Sequence, residues 1–190
     1  MLDFIRNYWQ KINPNYRGIV LFVIVLFASN YFWEFSVYGD EIENTVSVTF
    51  FGIDVSPLFG RAVLWFSYAT HILLGFWEIP HILVNNMIGF CNGNSMSVVS
   101  GCTAIKQFFI AFCIIAFSRG SLKHKLWYTP CVLVLLVEFN VLRLTILSVV
   151  VRNYVDLFNL FHAHIMKYMF YAFILVLWYI WDEYLRLKLL

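Results

Sequence analysis

Four long stretches of this chain are apolar with few interruptions, and their spacing predicts helices rather than strands. Gly18–Phe35 (GIVLFVIVLFASNYFWEF), Cys102–Phe117, residues 128–151 and residues 157–181 each approach the roughly 20 residues that a membrane-crossing helix needs. A fifth stretch, 62–79 (AVLWFSYATHILLGFWEI), carries Ser67, Tyr68, Thr70, His71, Gly75 and Glu78 and ends at Pro80. It reads as an interfacial or re-entrant helix. Between Pro80 and Gly101, short apolar runs flank Asn92-Gly93-Asn94, which predicts a short β-hairpin with an Asn-Gly turn.

Composition points the same way. Of 190 residues, 62% are hydrophobic and 13% charged, more apolar surface than a soluble domain of this length has interior to hide. The expected fold is an all-α polytopic helical bundle, one membrane domain over 1–190 with four to five transmembrane helices. The net charge of +2 carries no nucleic-acid signal, but its distribution carries an orientation. Arg6, Lys11 and Arg17 precede the first span, Arg119, Lys123 and Lys125 lie in SRGSLKHK (118–125), and Arg186 and Lys188 lie in the tail. These flanks are expected in the cytoplasm. Segment 34–101 holds Glu34, Asp40, Glu41, Glu43, Asp54 and Glu78 against one Arg61 and is expected outside. The first apolar run lacks a cleavage pattern and reads as a retained anchor.

Depth then singles out three kinds of polar side chain. At 1.5 Å per residue, Cys102 lies about 26 Å from Arg119, Arg143 about 27 Å from Lys125, and His162 and His164 about 27–30 Å from Asp182. A thiol, a guanidinium and an imidazole therefore reach the same, outer level of a core about 30 Å thick. A cysteine in the first turn of a helix meets the positive end of the helix dipole, and Lys106 at i+4 falls on the same face; both favour the thiolate. Histidine suits proton transfer and arginine a developing oxyanion. Asn140 lies at i−3 from Arg143.

Other roles are open to the same residues. Cys113 and Cys131 read as packing, and Cys91 could pair with Cys102 as a disulfide or a redox couple. Arg143 could snorkel to headgroups, and Glu138 could pair within the bundle. His162 and His164 are about 200° apart on a helix, so only one can face the site. His71 and His81 lack ligand spacing and read as interfacial. The cysteines and histidines form no ligand set, so no metal or cofactor is expected.

The order C-T-A-I-K, then N-V-L-R in the next span, then F-H-x-H opening the last, resembles the exosortase/archaeosortase superfamily of membrane cysteine transpeptidases, and in particular its compact Bacteroidetes-type branch. The family pattern around the nucleophile is roughly C-[ST]-G-[LI]-[RK]; Cys102, Thr103, Ile105 and Lys106 match, while Ala104 stands for the glycine. Asn140 and Arg143 match N-x-x-R. The third element departs from H-[DE], since Ala163 follows His162 and Met166 stands where the family has glycine. The resemblance covers about residues 85–181. It implies an inner-membrane enzyme whose site opens on the extracytoplasmic side. Its catalytic residues would be Cys102, Arg143 and His162 or His164, with Lys106 and Asn140 in support. Its substrates would be membrane proteins ending in a sorting signal of short motif, transmembrane helix and basic tail. The F-H spacing favours His162. A non-enzymatic membrane assembly or transport component is the alternative from another class.

Overall fold

The computed structural model describes residues 16–42 and 45–185. Arg6, Lys11, Arg186 and Lys188, and the side chains of Asp40, Glu41 and Glu43, lie outside what is described. Helix α1 (Arg17–Ser36) leads into a three-stranded antiparallel sheet, β1 (Val37–Ile42), β2 (Thr45–Phe50) and β3 (Ile53–Asp54). Helix α2 (Ser56–Phe76) follows, then a second antiparallel sheet, β4 (Ile82–Val84), β5 (Met87–Gly89) and β6 (Ser95–Ser97). A 3₁₀ turn, Ser100–Thr103, precedes α3 (Ile105–Phe117) and α4 (Leu122–Asn153). The last helix begins irregularly, with a 3₁₀ turn (Val155–Leu157), one α-turn (Phe158–Leu160) and a π-turn (Phe161–Ile165), before α5 (Met166–Tyr179).

Four helical segments are long and apolar enough to cross a membrane: Arg17–Ser36, Ser100–Phe117, Leu122–Asn153 and Val155–Glu183. The chain thus has the character of a multi-pass membrane protein. Helix α2, which begins six residues before the expected 62, is not one of the four. The mostly helical fold expected is present and the hairpin expected before Cys102 belongs to the second sheet; the first sheet is an addition to the all-α expectation. It was unforeseen, although Val46-Ser47-Val48-Thr49-Phe50 has the alternation of a strand.

Two apolar cores meet at Phe108. One gathers Ile110, Ile114, Leu136, Phe170, Ile174 and Trp181 between the four candidate spans. The other gathers Phe66, Leu74, Ile88, Val98, Leu144 and Met166 beneath α2 and the second sheet. Buried hydroxyls are satisfied within their own helices: Ser67, Thr70, Thr145 and Ser148 each donate to the carbonyl four residues back, at 2.7–2.9 Å. Lys125, expected in a basic loop, instead lies buried at the start of α4. Its Nζ donates to the Ala116 carbonyl at 2.8 Å, among the unpaired carbonyls that end α3.

The polar residues of the loops have specific work. Asn92 and Asn94 donate to the carbonyls of Arg152 (2.5 Å) and Val151 (3.0 Å), capping the end of α4 from outside. The Asn-Gly turn is present, in the five-residue loop between β5 and β6, and a second hairpin turn lies at Asn85-Asn86. His71 Nδ1 and His81 Nε2 are 2.7 Å apart, and His81 Nδ1 meets the Ile79 carbonyl at 2.6 Å. The two histidines therefore tie the end of α2 to the start of β4 rather than standing apart. Glu138 is exposed on α4, which corrects the expectation of a partner inside the bundle.

Candidate active site

The second sheet delivers the chain to Cys102. Asn86 and Val98 bond to each other twice: the Val98 N–H donates to the Asn86 carbonyl and the Asn86 side chain donates to the Val98 carbonyl, both at 2.9 Å. The Cys102 N–H then donates to the Val99 carbonyl at 2.9 Å and closes the 3₁₀ turn. From below, Asn140 Nδ2 donates to the Cys102 carbonyl at 3.0 Å. Asn140 is fully buried, so this bond forms where water cannot compete, and it fixes the turn to α4.

This geometry corrects two expectations. Cys102 is not in the first turn of a helix: Ala104, at φ 57° and ψ 19°, interrupts the chain, and α3 begins at Ile105. Lys106 is consequently not one helical turn from the thiol on a shared face. Its Nζ donates to Glu34 on α1 at 3.0 Å, a partly exposed ion pair of the kind that contributes little to stability. Lys106 instead lines a cavity of about 260 Å³ under the first sheet, with Trp33, Val37, Phe59, Gly101 and Gln107.

The left-handed backbone of Ala104 falls where the resemblance has glycine. Alanine in that conformation carries a cost of about 1–2 kcal/mol, and its methyl is buried. Ala104→Gly is expected to be nearly neutral, because the strain it relieves is offset by about 0.8 kcal/mol of lost burial. Ala104→Val is expected to destabilise by about 2 kcal/mol or more, since a branched side chain must enter both a strained backbone and a filled core. Melting temperatures in detergent would compare the two.

The last helix brings the imidazole. His162 Nε2 stands 3.6 Å from Cys102 Sγ, across sixty residues of sequence. The ring also stacks on Phe158, one turn earlier, with centroids 5.2 Å apart and planes 19° apart. His164, in the same π-turn, is exposed and faces away. Sequence depth alone left the two histidines level; the turn separates them.

Arg143 completes the cluster from α4, one turn beyond Asn140. It is only 6% exposed, which removes it from the headgroups, and it lies within electrostatic reach of Cys102 and His162. Its Nε is buried with no hydrogen-bond partner, as is Asn140 Oδ1, and among the described residues no carboxylate pairs with the guanidinium. A buried cation without a counter-ion is costly, and such residues mark functional sites in membrane helices. The remaining cysteines do not join. Cys91 is a free, exposed thiol in the β5–β6 loop, Cys113 and Cys131 are free on α3 and α4, and Cys102 is unbridged.

Cys102, Asn140, Arg143 and His162 thus converge from three elements, with Lys106 to one side and His164 outside. A thiol in contact with an imidazole nitrogen can lose its proton to it, and an unpaired guanidinium beside them can take up a negative charge that develops at a bound carbonyl. Compared with protein-family models, curated proteins and solved structures, the chain matches none, so these four residues carry the functional reading by their own geometry.

Proposed function

We propose that this chain is a membrane-embedded cysteine peptidase or transpeptidase of the exosortase type. It cleaves the carboxy-terminal sorting signal of membrane-anchored exported proteins at the extracytoplasmic face of the inner membrane. The observation that carries this reading is the 3.6 Å contact between Cys102 Sγ and His162 Nε2 beside a buried, unpaired Arg143. His162 Nε2 accepts the thiol proton, so Nδ1 bears the hydrogen in the neutral ring. The thiolate adds to the scissile carbonyl, and Arg143 balances the oxyanion that forms. Collapse of that intermediate expels the amine, which takes its proton from His162, and leaves a thioester on Cys102. Water or an amine acceptor then resolves the thioester and returns the thiol. Asn140 holds the Cys102 carbonyl throughout and acts as a positioning residue.

The test compares membranes from cells carrying the wild-type chain and Cys102→Ala, with mass spectrometry of the carboxyl ends of their membrane proteins. A precursor that keeps its terminal helix and basic tail only in the alanine strain is expected. Identical carboxyl ends in the two strains would make the chain an assembly or transport component.

A further inference from the structure

The turn between β2 and β3 presents an aromatic residue where the backbone least favours one. Phe50 pairs with Ile53 across a two-residue turn, Phe51-Gly52, in which both residues have positive φ, 46° and 81°. Asparagine followed by glycine is the ordinary choice for such a turn, and a bulky residue at positive φ is an outlier. Strain of this kind persists where the side chain is needed. The Phe51 ring is nonetheless 54% exposed to the surroundings.

What it touches indicates what covers it. Phe51 meets Phe32 and Phe35 of α1, with centroids 6.0 and 6.3 Å apart, and Phe50 at 4.9 Å. Helix α1 has 20 residues, about 30 Å, equal to the hydrocarbon thickness of a bilayer. Phe32 lies four residues, about 6 Å, inside the end of that helix. Its exposed apolar face runs through Ile24, Phe27, Tyr31 and Phe35; Phe35 meets Phe51, and Phe50 and Ile53 are exposed on either side of that turn. No charged residue occurs within Phe50–Ile53.

We propose that the β2–β3 turn is a membrane-interface anchor: Phe50, Phe51 and Ile53 insert at the boundary between acyl chains and headgroups and seat the first sheet on the bilayer. Phenylalanine and aliphatic side chains on the apolar faces of interfacial segments bury themselves at the boundary between headgroups and acyl chains. The proposal uses the apolar length of α1 and does not depend on the peptidase reading.

The experiment places an environment-sensitive fluorophore on Ile53→Cys, in the full chain with its four native cysteines replaced. The chain is reconstituted in phosphatidylcholine vesicles containing spin-labelled lipids, and a matching probe on Asn92→Cys serves as the control. A blue-shifted probe at 53, quenched by lipids labelled near the headgroup, is expected, with a water-like and unquenched probe at 92. Water-like emission at 53 would overturn the anchor. So would shielding from both water and lipid that disappears when the protein is diluted into excess lipid, since a second copy would then cover the turn. Phe51→Gly relieves the backbone while removing the ring. It is expected to lose the quenching at 53 while keeping or raising Tm in detergent. A lower Tm with unchanged quenching would give the ring an internal packing role and overturn the proposal.

Discussion

Replacing His162 with alanine is expected to lower precursor cleavage by about 10²–10⁴-fold, the range that proton transfer contributes, while His164→Ala leaves it nearly unchanged. The asymmetry follows from the π-turn, which aims one ring at Cys102 Sγ and leaves the other exposed. The same contrast has a readout that needs no substrate. Alkylation of Cys102 by iodoacetamide near neutral pH should slow in His162→Ala, because the thiolate loses its proton acceptor, and should hold in His164→Ala. The Phe158 ring adds a gradation: it stacks on the imidazole without touching the proton, so Phe158→Ala should loosen the ring and give a smaller loss. Equal, mild effects from both histidine variants would end the cysteine–histidine mechanism.

Arg143→Met is expected to separate activity from stability. Cleavage should fall by about 10²–10³-fold, as when an oxyanion donor is removed. Melting in detergent should hold or rise, because replacing a buried, poorly compensated charge with a well-packed apolar chain is neutral or stabilising by about 1–4 kcal/mol. The buried Nε without a partner is the reason for that sign. Arg143→Lys keeps a charge but not the planar fork, and should insert normally while cleaving poorly. A methionine variant that unfolds, together with a lysine variant that cleaves like the wild type, would assign Arg143 to the scaffold.

Much of this site was legible in the sequence because a bilayer imposes its own ruler. An apolar run of known rise places Cys102, Arg143 and the FHAH histidines at one depth without any knowledge of how helices pack. What depth cannot encode is azimuth. Any helix turns His162 and His164 to different faces, and only the F-H spacing of the resemblance favoured His162; the π-turn that sets the azimuth is marked by no residue type in FHAHI. The break at Ala104 was hidden for a related reason: glycine would have announced a left-handed residue, and alanine reads as helix. Lys106 was misplaced by extending that helix back through Cys102, whereas its actual partner, Glu34, is seventy-two residues away. In the first sheet the alternating β-branched residues of β2 were overshadowed by the acidic run Asp40–Glu43, which reads as a solvated loop.

The π-turn at Phe161–Ile165 works like a vernier between two scales. Below it, Met166, Phe170, Ile174 and Leu177 lock the helix into the bundle with ordinary α-periodicity. Above it, Phe158 and His162 are set by the Cys102 turn. A π-turn is an α-helix with one residue to spare, so deleting Ala163 would leave the lower scale in register and advance the upper one by about 100°. One residue of slack lets the packing face and the imidazole be aligned separately. Substitutions that tighten the bundle below Met166 can therefore accumulate without moving the nitrogen that faces the thiol.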